Sequence, residues 1–384
     1  MEIKNLKKLA DRIQKAILNK EKIILYADSD LDGTVSAIIV KEAILNLGGA
    51  MPVVYFSDRK SEEHGINQDA LEILKKEAPG FFLSLDCGIA DFEAIELAKK
   101  NGFEVAVLDH HEISRKLPKI KIIVNPKQGK ENNPFYTLAA SGLAFKLVEL
   151  LMQGKLKRAL REEILGLVAM ATLSDMVPEQ GLNKEILDEG LALLESSQRP
   201  AIKVLFGSSV VEKCQSTREI VDKISRIINV TTKEGHLSAL YLLLTAATET
   251  EAQARFQKFL EEGAQRQLAI SELFDVLKSR FFSKKDEPII FEGDENWELR
   301  FLGSVASRAA VFFQKPAFVF TKKNEFFRGS FRMPDSGDGI KALKTCSKFI
   351  KECGGHARAG GFTFEEKNTD NLKQCLLKYF KARR

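Results

Sequence analysis

Residues 22–33 read KIILYADSDLDG, and this stretch decides the fold. Its apolar run from Ile23 to Ala27 has no polar interruption, which suits a strand buried on both faces, as in a parallel sheet. Three carboxylates follow at alternate positions, Asp28, Asp30 and Asp32, closed by Gly33. Carboxylates this close repel one another unless a cation lies among them. The same order opens an EF-hand calcium loop. That reading fails because the twelfth position is Ile39 rather than Glu, and a strand rather than a helix precedes the motif. An acidic surface turn is the plainer alternative for the motif taken alone.

Outward from this stretch, short apolar runs alternate with helical patterns. The spacing predicts a helix over TVSAIIVKEAILNLG (34–48), a strand at MPVVYF (51–56) and a helix over 66–77. It then predicts a strand at FFLSLD (81–86), a helix over DFEAIELAKKNG (91–102), and strands at FEVAVLD (103–109) and KIIVN (121–125). Runs of this length separated by helices are βαβ units, so the expected fold class is α/β with a parallel sheet. Helical patterns dominate from Thr137 to Arg280. The charged stretch 250–282 reads as a connecting helix interrupted at Gly263. After SKKDEP (283–288) phenylalanine and glycine become frequent, with strands such as AFVFT (317–321) and FFRGSFRM (326–333). The expected organisation is a catalytic α/β domain with a helical extension over 1–249, the connecting helix over 250–282, and a smaller α+β domain over 283–384.

Composition narrows the class. The chain of 384 residues has 44% apolar and 29% charged residues, ordinary for a soluble globular protein of two domains. Net charge is +5, which permits a nucleic-acid partner without requiring one. Cys87, Cys214, Cys346, Cys353 and Cys375 form no C-x-x-C pair, so they read as reduced thiols of a cytoplasmic protein. The N-terminus is a charged amphipathic helix rather than a signal peptide, and no stretch reaches the ~18 apolar residues of a membrane span.

The chemistry gathers at strand ends. Asp86 ends the third strand, Asp109-His110-His111 ends the fourth, and Asp175 follows an apolar helix in ATLSDMVP (171–178). In an open α/β sheet the carboxyl ends of the strands share one crevice, so residues spread along the chain converge there. Each has a bland reading: Asp86 as a helix cap, paired histidines as surface residues, Asp175 as a turn residue. The convergence of three acidic clusters with His-His is the stronger signal. Oxygen-rich ligands with some imidazole suit manganese or magnesium better than zinc or copper. Two such ions ~4 Å apart can clamp a phosphate and activate water, so metal-assisted phosphoester hydrolysis is the favoured reaction class. Near the C-terminus, GGHARAGG (354–361) supplies glycines that let backbone N–H groups approach a phosphate, with His356 and Arg358 adding charge. A helix-to-strand turn is the equal alternative there. Gly329-Ser330-Phe331-Arg332 reads as a second glycine-led turn.

These motifs, in this order, resemble the DHH phosphoesterases. The resemblance rests on D-x-D-x-D-G at 28–33, Asp86, Asp109-His110-His111, Asp175 and the GGH at 354–356. Within the family the likeness is to the RecJ group, carried by LDCGI (85–89), Asn125-Pro126, SGLAFKL (141–147), ATLSDMVP, GSVASR (303–308) and RGSFR (328–332). The resemblance implies a parallel-sheet domain joined by a long helix to a DHH-associated domain. It also implies a 5′-to-3′ exonuclease on single-stranded DNA that releases mononucleotides with two Mn²⁺ or Mg²⁺ ions. Asp28, Asp30, Asp32, Asp86, His110 and Asp175 would hold metal, with Asp109, His110 and His111 catalytic. His356, Gly354, Gly355, Arg358, Ser330, Arg332, Arg59 and Lys233 would meet substrate. The implied partners are single-stranded nucleic acid, DNA in preference to RNA, and repair or single-strand-binding proteins.

The sequence departs from the RecJ pattern in three places. Lys233 and Lys184 stand where arginines are expected, and the two residues differ at a bidentate phosphate site. No OB-fold stretch follows the core. The alternatives are a short-oligonucleotide hydrolase that also dephosphorylates 3′-phosphoadenosine 5′-phosphate, and a replication scaffold without activity.

Overall fold

The structure, a computed structural model, describes residues 2–57, 65–113, 116–229, 233–323, 325–334 and 337–382. Contacts divide the chain into two compact units, Met1–Leu260 and Glu261–Arg384.

The first unit opens with α1 (Leu6–Leu18), β1 (Ile23–Ala27), α2 (Leu31–Asn46), β2 (Val53–Phe56), α3 (Gln68–Leu74), β3 (Gly80–Leu85), α4 (Phe92–Lys100), β4 (Phe103–Leu108) and β5 (Ile122–Val124). The five strands form one parallel sheet in the order β2-β1-β3-β4-β5. Every residue of β1 is buried, as its apolar run demands. Ile23, Leu25 and Ala27 join the core shared with α1, α2 and the later helices, while Ile24 and Tyr26 join the opposite core with α3 and α4. Two covered faces are the reason the run does not alternate with polar residues. A helical layer follows, with α5 (Ala140–Leu151), α6 (Arg158–Ser174), α7 (Leu182–Leu194), α8 (Pro200–Phe206) and α9 (Thr217–Ile228). A two-stranded hairpin, β6 (Lys233–Glu234) and β7 (Leu237–Ser238), leads into α10 (Ala239–Leu244).

Two sequence expectations shift in detail. Helix α2 starts at Leu31 rather than Thr34, because Asp30 is its N-cap and its side chain accepts from the Gly33 N–H. Asp32 and Gly33 therefore lie inside the first turn. Only glycine fits there, since a Cβ on Gly33 would meet the Asp28 carbonyl oxygen at 2.4 Å. Helix α11 (Glu249–Phe282) runs unbroken through Gly263, where an interruption was expected. A helical glycine costs only ~1 kcal/mol against alanine, and apolar anchors hold both halves. Ala252, Phe256 and Phe259 enter the first unit's core, and Ile270, Phe274, Leu277 and Phe281 enter a core of the second.

The second unit comprises β8 (Ile290–Gly293), α12 (Leu299–Phe313), β9 (Ala317–Lys323), β10 (Phe326–Arg332), α13 (Gly339–Thr345), β11 (Glu352–His356), β12 (Ala359–Glu365) and α14 (Thr369–Lys381). Its mixed sheet has the order β11-β12-β10-β9-β8, with only β8 and β9 parallel. Helix α12 and the end of α11 pack on Ile290, Ala317 and Val319 of one face, and α13 and α14 on Phe318, Phe331, Phe362 and Phe364 of the other. Gly329-Ser330-Phe331-Arg332 is strand interior rather than a turn. Gly329 is there for close approach, since a Cβ would meet the Val319 carbonyl oxygen at 2.6 Å. GGHARAGG is a strand–turn–strand hairpin rather than a helix-to-strand turn. The reading of all five cysteines as reduced thiols is also corrected. Cys346, capping α13, and Cys375 in α14 are joined as a disulfide with Cα atoms 5.9 Å apart, because the two helices pack together across 29 residues of sequence. Cys87, Cys214 and Cys353 are free.

Candidate metal centre

The sheet order 2-1-3-4-5 reverses direction between β1 and β3, and the crevice at such a switch point is where open α/β sheets take ligands. Asp28 leaves β1 on one side of it, and Asp86 leaves β3 on the other. Asp86 holds a left-handed φ of 60°, a conformation aspartate tolerates better than most residues. Its N–H donates to the Leu108 carbonyl and that of Asp109 to the Val124 carbonyl, so each strand end is clamped to its neighbour.

Hydrogen bonds fix most of the carboxylates. Asp28 Oδ1 accepts from the Ser29 N–H and the Ser57 hydroxyl, both at 2.7 Å. Asp32 accepts from the N–H groups of Ala140 at 2.7 Å and Ser141 at 3.0 Å, at the start of α5, where helix N–H groups favour an anion. Asp109 is spent on positioning: it accepts from the N–H groups of Ile89 and His111 and lies 2.8 Å from His111 Nδ1. Asn125 donates to the His111 carbonyl at 3.0 Å. Asn183 donates to the carbonyls of Thr137 and Pro178, steadying the loop that follows Asp175.

Three atoms stand out by what they lack. Asp86 Oδ1, Asp175 Oδ2 and His110 Nε2 are buried without a hydrogen-bond partner. His110 Nε2 lies 3.4 Å from Asp86 Oδ1, 3.6 Å from Asp175 Oδ2 and 3.9 Å from Asp32 Oδ2. These are long for hydrogen bonds but suit donors around a shared cation, whose ~2.1 Å bonds leave ligand atoms ~3 Å or more apart. Among the described residues three groups could each hold an ion: Asp28, Asp30 and Asp86; Asp32, His110 and Asp175; and Asp86, His110 and His111. Asp86 and His110 each belong to two of them, so the sites adjoin.

The electrostatics carry the same signature. Burial first, then the carboxylates of Asp30, Asp32, Asp28 and Asp109, pushes the Asp86 carboxyl well above its ordinary range. Burial likewise raises Asp32. Burial together with Asp32 and Asp30 raises Asp175 to about 8. Burial lowers His110, leaving a neutral imidazole with a lone pair. The Asp109 hydrogen bond raises His111 to about 9. Burial acts to raise Asp109 too, but the bonds from His111 and the Ile89 N–H outweigh it and hold it low. Buried acids that cannot all ionise together, beside a neutral histidine, fit a divalent cation.

The second unit brings together most of the expected substrate residues. Arg332, Ala359 and His356 lie across from one another on three adjacent strands, as do Ser330, Gly361 and Gly354. Directly opposed residues share a sheet face, so Ser330, Arg332 and His356 project from one face. Helix α12 packs over the β10 part of this face, where a Cβ on Gly303 would lie 3.1 Å from the Arg332 guanidinium and 3.7 Å from the Ser330 hydroxyl. A Cβ on Gly354 would meet nothing within 4 Å, so the face opens as a shelf toward the edge strand β11. Burial lowers the Arg332 guanidinium. Gly355 takes a positive φ of 122° beside Ala359 and Gly360, and Arg358 sits in the hairpin turn, whose carbonyl accepts from the Met333 N–H. Lys233 is elsewhere, in β6 of the first unit, with Nζ 5.2 Å from the Tyr55 ring centroid. Arg59 lies outside the described residues. Sequence reasoning missed Ser57, for which the sequence carries no signal. Asn125 stood in view only as part of the resemblance.

The fold and the site define an α/β protein with a carboxylate–imidazole metal centre at its switch point. Residues 22–172 match the DHH family, N-terminal domain. It is similar to the single-stranded-DNA-specific exonuclease RecJ of Bacillus subtilis (strain 168), 29% identical over 379 residues, covering 98% of this chain and 48% of the relative. It is also similar to that of Thermus thermophilus, 26% identical over 382 residues, covering 99% and 54%. The chain thus spans about half the length of these relatives. Among solved structures, an exonuclease RecJ bound to manganese superposes with a TM-score of 0.80 at 24% identity, over 99% of this chain and 95% of that one. A Thermus thermophilus RecJ in complex with Mn²⁺ gives 0.78 at 23% identity, over 100% and 55%. These superpositions establish a shared fold.

Proposed function

We propose that this chain is a metal-dependent phosphodiesterase that trims single-stranded DNA from its 5′ end and releases mononucleotides, working with two Mn²⁺ or Mg²⁺ ions. The observation that carries the reading is the cluster of Asp32, Asp86 and Asp175 oxygens within 3.9 Å of the buried, unbonded His110 Nε2. Asp28, Asp30 and Asp86 would hold one ion, and Asp32, His110 and Asp175 the other, with His111 beside them. Bound there, such ions supply an acidic water and neutralise charge on the phosphate under attack. The chain's own residues do the rest. Asp109 orients His111, which stands half-exposed beside Asp86. Ser57 and the start of α5 keep Asp28 and Asp32 aimed. His356, Arg332 and Ser330 offer donors on the shelf of the second unit for a phosphate of the strand.

DNA as substrate comes from what the relatives are named as doing, and the polarity from the resemblance of the motifs to the RecJ group. Repair and single-strand-binding proteins as partners rest on that same resemblance, and a cytoplasmic site of action on the sequence reading. Among the described residues no helix is long and apolar enough to cross a membrane. The test is release of labelled mononucleotide from 5′-labelled and 3′-labelled single strands with and without Mn²⁺, beside duplex DNA and di- to pentanucleotide RNA. Immediate manganese-dependent release of the 5′ label is expected. Preference for the short RNAs would favour the short-oligonucleotide hydrolase, and silence on every substrate the scaffold.

A further inference from the structure

A column of stacked rings crosses the first sheet and ends at the surface. Phe82 of β3 stacks on Tyr26 of β1 with centroids 5.7 Å apart and planes 24° apart. Tyr26 stacks on Tyr55 of β2 at 5.7 Å and 10°, and Tyr55 on His236 at 6.0 Å and 17°. Each strand contributes one ring, and the last comes from the hairpin docked on the sheet's edge. Phe82 and Tyr26 are fully buried, Tyr55 nearly so, and His236 is exposed. The outermost member of the stack is therefore an imidazole presented to solvent.

Its position is built rather than incidental. Gly235, at φ 67°, makes the two-residue loop possible, and the Phe56 N–H donates to the His236 carbonyl at 3.1 Å, pinning the loop to the end of β2. The next residue of the chain after Phe56 is Ser57, whose hydroxyl donates to Asp28. His236 thus stands about two strand spacings, ~10 Å, from the first carboxylate of the metal centre. Lys233 Nζ lies over the same Tyr55 ring, so a cation adjoins the stacking surface. A ring with a cation beside it, on the edge next to a phosphodiester-cleaving site, is the combination that holds single strands, with the base on the ring and the phosphate on the charge.

We propose that His236 is a stacking platform for a nucleobase of the substrate strand, beside the Lys233 that the resemblance already sets against substrate. The inference rests on the nucleic-acid reading above and adds where a base is gripped. It predicts that contact at one nucleotide depends on a base being present, whatever its identity, since every base offers a π-face.

The test measures binding without turnover. Fluorescence anisotropy of a short single-stranded oligothymidylate is read in metal-free buffer, first intact and then with one abasic site walked inward from the 5′ end. The wild type should lose affinity at one position of the series by roughly 5- to 150-fold, the worth of one stacked base. His236→Ala should bind the intact strand that much more weakly and lose the dip at that position, while His236→Phe restores it. A purely structural cap on the column would lower the melting temperature of His236→Ala and leave the abasic profile unchanged. A wild-type profile without a dip, or a His236→Ala profile that superimposes on the wild type, overturns the inference while the function stands. Failure of the wild type to bind the intact strand overturns the nucleic-acid reading and takes this inference with it.

Discussion

Replacing Asp175 by asparagine should stabilise the metal-free protein, and the gain should grow with pH. Asp175 caps the end of α6, with Oδ2 buried, unbonded and 3.6 Å from His110 Nε2. Its carboxyl is raised from 3.8 to about 8 by burial and by Asp32 and Asp30. Below pH ~4 the group is protonated whether the chain is folded or not, and it costs nothing. Between pH ~4 and ~8 the unfolded chain gives up the proton first, so stability falls as pH rises through that window. At ~1.4 kcal/mol per pH unit, the three units crossed by pH 7 cost ~4 kcal/mol. Sharing of the charge with Asp32 and His110 reduces the recoverable part to ~2–4 kcal/mol. Asparagine keeps the shape and cannot ionise. In EDTA, urea denaturation should show Asp175→Asn ahead of the wild type by ~2–4 kcal/mol at pH 7.5 and by ~1 kcal/mol at pH 5, and melting at pH 7.5 should rise by ~4 °C or more. Added Mn²⁺ should stabilise the wild type more than the variant, since it binds the folded site by mass action. An equal difference at both pH values, or a variant less stable than the wild type at pH 7.5, would refute the reasoning.

Other expectations follow from the same geometry. Asp86→Ala should fold but lose at least ~10³-fold in turnover, because Asp86 serves two of the ion-holding groups; near-normal nuclease rates in the purified variant would sink the assignment. Asp109→Asn should weaken Mn²⁺ binding ~10- to 100-fold by releasing His111, read by calorimetric titration. His356→Ala should leave that titration unchanged and depress turnover, since His356 lies in the second unit and, among the described residues, in none of the groups that could hold an ion. On the shelf, Gly354→Ala has room and should keep the wild-type melting curve. Gly360→Ala would bring a Cβ to 2.2 Å from the Gly354 carbonyl oxygen and should destabilise by ~1–3 kcal/mol.

The sequence by itself determined the first sheet and the list of acids on its edge. Apolar runs such as 23–27, and 81–85 with its single serine, read as strands covered on both faces, and the strand-end rule then predicts that Asp28, Asp86 and His110 converge although 82 positions separate the first from the last. The tertiary structure decided what the pattern leaves degenerate. Gly329 could belong to a turn or to a strand crossed closely by its neighbours, and only the pairing with Phe320 and Phe362 selects the strand. Cys346 and Cys375 carry no spacing signal, and the packing of α13 on α14 joins them. The holds on Asp28 from Ser57, on Asp32 from the start of α5, and of Tyr55 on His236 run between residues 29 to 181 positions apart. Periodicity reports how one segment meets water and the core. Which segments then meet each other is set by the packing of the whole unit, so the supports of the site are visible only once the chain has folded.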